Sequence, residues 1–140
     1  MKVAVTGGIG SGKSLLVENL RKCLPDFSFW NVDDFVRSLY NVESIQSRLI
    51  SKFSTADRSK ISDIVFSDPT KLLWIEHLFL PYVDQELNEL LETSKNIVVE
   101  FPLLFEMGYE SRFDWVVGVV ADDEVRVKRS SRETASLPRR

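Results

Sequence analysis

Apolar residues follow two rhythms along this 140-residue chain. Short, nearly continuous runs occur at Lys2–Thr6 (KVAVT), Phe27–Val32 (FSFWNV), Asn96–Phe101 (NIVVEF) and Phe113–Ala121 (FDWVVGVVA). Each predicts a strand, the third stopped by Pro102. Between them apolar residues recur every three or four positions, which predicts helices. Ser14–Cys23 carries Leu15, Leu16, Leu20 and Cys23 at that spacing, and Asp33–Tyr40, Glu43–Phe53 and Arg58–Phe66 read as further helices. Polar Ser54–Asp57 separates the last two. Ser67-Asp68-Pro69 marks a helix start, with Asp68 as N-cap and Pro69 at the first helical position. Leu72, Ile75, Phe79, Val83, Leu87 and Leu90 then form one stripe, in which Pro81 is expected to kink or split the helix. Asp122 is expected to begin a last helix whose far half is basic.

Strands that alternate with helices, most of them apolar throughout, point to an α/β fold with a parallel sheet covered on both faces. Ligands of such sheets sit at the carboxyl ends of the strands. The residues to weigh are therefore Thr6–Ser14, Asn31–Asp34, Glu100–Glu106 and those from Ala121 onward.

Composition narrows the class. A 44% hydrophobic content suits one domain with a real core. A net charge of −3 gives no general reason to bind nucleic acid or an anionic membrane. The charge is uneven, with Arg126, Lys128, Arg129, Arg132, Arg139 and Arg140 following Asp122–Glu124. The single cysteine, Cys23, excludes an internal disulfide and fits a reducing compartment. It reads as a small apolar residue on the inner face of the first helix. The first strand leaves no room for a signal peptide and no apolar run is long enough to span a bilayer. A soluble cytoplasmic protein is expected.

The stretch TGGIGSGKS, Thr6–Ser14, fits G-x-x-x-x-G-K-[ST] from Gly7 to Ser14. Its glycines let successive backbone N–H groups close around a phosphate, and the following helix adds the positive end of its dipole. Lys13 would reach the β- and γ-phosphates and the Ser14 hydroxyl would ligate Mg²⁺. Strand, loop and helix in that order is the context the motif requires. The chain is expected to bind a nucleoside triphosphate.

NVDD, Asn31–Asp34, places carboxylates where an acceptor would lie. Asp33 is a candidate base for an attacking hydroxyl; helix capping is an equal use of Asp at this position. Glu100, ending the third strand, can hold the Mg²⁺ water shell or stand as an exposed strand-end charge.

Four stretches together resemble the dephospho-CoA kinase family. They are TGGIGSGKS, NVDDFVRSLY, DRSKISDIVFSDPTKL and EFPLLFE, the last being Glu100–Glu106. The resemblance implies a P-loop NTPase-like three-layer fold. It also implies transfer of the γ-phosphoryl of ATP to the ribose 3′-hydroxyl of dephospho-CoA. Asp33 falls on the family's proposed base, which raises it above capping. Gly8 and the segment Gly10, Ser11, Gly12, Lys13, Ser14 and Leu15 fall on the ATP side. Arg37 with Pro102, Leu103, Leu104 and Glu106 falls on the acceptor side. Arg129 and Arg132 lie near the lid arginines. The domain is then a single one over 1–140, with a helical acceptor-side insertion at about 34–93 and a basic lid-like tail at about 122–140.

The chain departs from the family in four places. Asn31 replaces the first Asp of D-A-D, so an amide stands where a charge is usual. Leu15 replaces Thr and reads as a core residue of the first helix. Leu80 replaces the His of His-Pro, with His77 one turn earlier on what reads as a packed helix. The chain stops at Arg140, so four strands are expected, the family's fifth being absent. The fourth strand would then be a bare apolar edge, which predicts self-association. Two rivals stand beside the kinase: an ATP-binding module without turnover, and another small-metabolite or nucleoside kinase.

Overall fold

The computed structural model describes residues 1–7, 12–102, 108–119 and 125–129, of which 102, 125, 126, 128 and 129 are described by their backbone alone. The chain divides into two compact units, residues 1–32 with 90–140 and residues 33–89.

The first unit is built on a five-stranded sheet. Its strands are β1 (Lys2–Gly7), β2 (Ser28–Asn31), β3 (Ile97–Pro102), β4 (Trp115–Val119) and β5 (Val125–Arg129), in the order β2-β3-β1-β4-β5. The first four are parallel, as the continuous apolar runs predict. β5 is antiparallel to β4, where the sequence predicts part of a helix from Asp122. The reason lies in VRVKR, which alternates apolar and polar residues beside an open strand edge; such a segment gains ladder hydrogen bonds that an isolated helical turn cannot match. β5 also removes the premise of the self-association prediction, because β4 has neighbours on both sides.

Helix α1 (Lys13–Cys23) packs on one face of this sheet. Val17, Leu16, Leu20 and Leu24 meet Val3 and Val5 of β1, Val98 of β3 and Val119 of β4. Cys23 is exposed, and Leu15 is 64% exposed. At about 100° per residue, Leu15 lies about 160° around the helix from Val17, so it turns away from the sheet. The inward readings of Leu15 and Cys23 are thus corrected: the buried stripe passes through Leu16, Val17 and Leu20.

The second unit is helical, with α2 (Val32–Leu39), α3 (Glu43–Phe53), α4 (Arg58–Phe66) and most of α5 (Pro69–Thr93). Leu39, Ile45, Leu49, Phe53, Ile61, Ile75, Leu78 and Phe79 form its core. Each fully buried aliphatic side chain here contributes about 1.5–3 kcal/mol. Tyr40 packs on Phe79 at 5.2 Å between ring centroids, and Phe53 meets Trp74 edge-on at 5.5 Å. The starts of α4 and α5 follow capping carboxylates. Asp57 Oδ1 accepts from the N–H groups of Ser59 and Lys60 at 2.9 and 3.3 Å, and Asp68 Oδ1 from those of Thr70 and Lys71 at 3.1 and 3.3 Å. Pro81 does not split α5, which runs unbroken for 25 residues. Pro81 cannot donate to the carbonyl of His77, but both residues are exposed, so water can satisfy that carbonyl. His77 is therefore a surface residue, not a packed one.

Candidate active site

β1 ends at Gly7, buried, and α1 begins at Lys13. Residues Gly8, Gly10 and Ser11 of the loop between them lie outside the described residues. Gly12 is the N-cap of α1 at φ 86°, ψ 8°, a left-handed conformation that favours glycine. Among the described residues no side chain caps this helix, and its first turn holds no acidic residue. The first carbonyl bond is Leu16 N–H to Gly12 O, at 3.1 Å. The N–H groups of the first turn and the positive end of the dipole are thus left for an anion, which fits a phosphate. Lys13 Nζ donates to the carbonyl of Phe101 at 3.3 Å, beside the end of β3. Ser14 and Leu15 are exposed in the same turn.

Register decides what lies beside that turn. Val5 pairs with Glu100, and Glu100 with Asn31. Side chains alternate along a strand, so Glu100 shares a face with Val98, and Asn31 with Phe29. This is the face on which α1 packs. Glu100 and Asn31 therefore rise from the carboxyl end of the sheet on the same side as Lys13 and Ser14. Asn31 Nδ2 donates to Glu100 Oε2 at 2.9 Å, and Glu100 is only 8% exposed. The reading of Glu100 as an exposed strand-end charge is excluded. The Asn31 bond was not legible in the sequence, where both residues simply end strands; only the strand order makes them neighbours.

The opposite face of β3 is aromatic. Phe101 stacks on Tyr109 at 5.6 Å and meets Phe113 edge-on at 5.6 Å, all three buried. The acceptor-side residues Leu103, Leu104 and Glu106 lie outside the described residues, and of Pro102 only the backbone pairing with Gly7 is described.

In the helical unit, Asp33 and Asp34 occupy the first turn of α2, where negative charge complements the dipole. Asp33 is exposed. Arg37 NH1 lies 3.7 Å from Asp34 Oδ1.

Of Arg129 the backbone alone is described, at the end of β5. Arg129 pairs with Trp115, and Trp115 with Val3, whereas Gly7 is level with Val119. Four residues along β4 put the Arg129 backbone about 13 Å from the loop end of the sheet. The antiparallel turn of β5 is the cause. Arg132 lies outside the described residues.

Among the described residues no group of three or more His, Cys, Asp or Glu could hold a metal ion. Mg²⁺ at a triphosphate is commonly held by one or two protein groups together with phosphates and water. A helix-borne hydroxyl at Ser14 and a buried carboxylate at Glu100 are a donor set of that kind.

Comparison with known proteins agrees with this geometry. The family model described as dephospho-CoA kinase (CoaE) matches residues 1–136. A dephospho-CoA kinase of Fusobacterium nucleatum is 32% identical over 139 residues, which cover 92% of this chain and 71% of that protein. A crystal structure from Thermus thermophilus superposes with a TM-score of 0.67 at 32% identity, covering 85% of this chain and 64% of that one. A dephospho-CoA kinase from Campylobacter jejuni superposes with a TM-score of 0.60 at 26% identity, covering 86% and 66%. The chain thus spans about two thirds of the length of the proteins it matches. The sheet order, the phosphate loop and the sequence match converge, and the chain belongs to the dephospho-CoA kinase family.

Proposed function

We propose that this chain transfers the γ-phosphoryl group of ATP to the ribose 3′-hydroxyl of dephospho-CoA, yielding CoA and ADP. The observation that carries the proposal is Lys13 at the uncapped start of α1 together with buried Glu100 on the neighbouring strand. In this reading the N–H groups of the loop and of α1's first turn hold the β- and γ-phosphates, and Lys13 leaves the Phe101 carbonyl to neutralise them. Ser14 and Glu100 hold Mg²⁺, directly or through its water shell. When bound, that ion supplies charge neutralisation on the phosphate oxygens. Asp33 takes the proton of the 3′-hydroxyl as its oxygen bonds to the γ-phosphorus and the bond to the β–γ bridging oxygen breaks. Arg37 and the segment 102–106 orient the acceptor, Leu15 offers an apolar contact to the nucleotide, and Arg132 closes on the triphosphate. No helix among the described residues is long and apolar enough to cross a membrane, and we place the reaction in the cytoplasm.

A second reading, an ATP-binding module without turnover, is favoured by the span of about two thirds of the relatives' length. One assay separates the two: ADP release with Mg²⁺ and ATP, with and without dephospho-CoA. The kinase requires release that depends on dephospho-CoA and falls at least about a hundredfold in Asp33→Ala, while Lys13→Ala weakens ATP binding. Bound ATP without ADP release establishes the module.

A further inference from the structure

The Asn31–Glu100 bond assigns a task to the amide at the end of β2. Glu100 is buried, level with Val5 of β1 and on the α1 side of the sheet, which it shares with Val98. A buried carboxylate requires donors, because it can only accept hydrogen bonds. Asn31 supplies one through Nδ2 at 2.9 Å, from the register position directly opposite. An aspartate at 31 would set two carboxylates against each other across that same distance with no donor between them, a clash that a bound cation relieves.

We propose that Asn31 is a positioning residue for the metal: it fixes Glu100 through Oε2, leaving Oε1 for the Mg²⁺ shell. The inference rests on the reading of Glu100 as the Mg²⁺-holding group. The protein's metal-free fold is then independent of divalent ions, and Mg²⁺ enters with the nucleotide and is not demanded by the protein alone. Loss of an outer partner of a metal-holding group costs about 10–100-fold in metal affinity, and a neutral donor to a single oxygen belongs at the lower end.

The test uses the full chain, with the Mg²⁺ dependence of fluorescent ATP-analogue binding and thermal melting with and without Mg²⁺. Asn31→Ala is expected to raise the Mg²⁺ concentration for half-maximal analogue binding about tenfold, with binding in excess Mg²⁺ near that of the parent. Asn31→Asp is expected to lower the metal-free melting temperature and to regain it with Mg²⁺ and no nucleotide, while the parent's melting is unmoved by Mg²⁺. A merely structural role for Asn31 would lower melting in both variants whatever the ion, and would overturn the proposal. Glu100→Gln separates the two readings. If it leaves the Mg²⁺ dependence unchanged, Glu100 does not hold the metal and both readings fall. If Glu100→Gln shifts the dependence but Asn31→Ala does not, only the role of Asn31 falls.

Discussion

Replacing Gly12 with alanine tests the loop and the fold together. Gly12 caps α1 at φ 86°, ψ 8°. An L-residue pays about 1–2 kcal/mol to hold the left-handed region. A β-carbon built there meets nothing nearer than Val119 Cγ1 at 4.0 Å, an ordinary van der Waals distance. Steric collision thus adds nothing among the described residues, and the whole loss is conformational, about 1–2 kcal/mol. For a domain of this size that lowers Tm by about 3–8 °C. Gly12→Asn should lose less than Gly12→Ala, because asparagine visits this region more readily. Urea unfolding of the three proteins measures the difference as a shift in midpoint at constant slope. Two results would refute the reasoning. Parent-like stability in Gly12→Ala would mean that the left-handed cap is not required. A loss above about 4 kcal/mol, equal in both variants, would mean that the added side chain collides with its surroundings.

Further predictions concern the helical unit. Asp57→Ala removes the acceptor of two first-turn N–H groups of α4 and should cost about 1 kcal/mol in chemical denaturation. Arg37→Ala breaks a 3.7 Å pair with Asp34 whose side chains are 58% and 70% exposed, so stability should change by less than about 1 kcal/mol. A rise in KM for dephospho-CoA in that variant would then report acceptor binding and not unfolding. Burial raises the Glu76 pKa above its ordinary value of 4.5, opposed by the neighbouring His77. The folded protein therefore holds that proton more tightly than the unfolded chain. The cost of ionised Glu76 is fully present above the raised pKa and disappears as pH falls below the ordinary value. Glu76→Gln should melt higher than the parent at neutral pH and converge with it in acid, read by melting curves across that range.

How much of this was legible beforehand depended on whether the signal was local. The bounds of α3 and α4 coincide with those read from the sequence, and the start of α5 follows Asp68-Pro69. For α4 and α5 the capping carboxylates and the first-turn proline act within a few residues, whereas α3 follows Val42 with no side-chain cap. The parallel strands announced themselves by continuous apolar runs. α1 was read one step out of phase, since three adjacent apolar residues, Leu15, Leu16 and Val17, leave the inward face ambiguous until the sheet selects it. β5 was missed because a five-residue alternating segment inside a basic stretch carries little periodic signal, and its stability comes from β4, a partner given by topology. The same limit hid the Asn31–Glu100 bond. The phosphate loop was plain in the sequence; the residue that braces its neighbouring carboxylate was not.

β3 also bears on how this chain can change over generations. Its successive residues serve opposite masters: Glu100 faces α1, and Phe101 seals the aromatic cluster with Tyr109 and Phe113. Inserting or deleting one residue within the strand would exchange the two, sending a carboxylate into the aromatic side and a phenyl ring toward Lys13. The Asn31–Glu100 bond and the aromatic cluster would be lost in the same stroke, so neither can drift while the other is kept. A residue added between Ser54 and Asp57 meets no such double demand, because Asp57 keeps its place as the cap of α4.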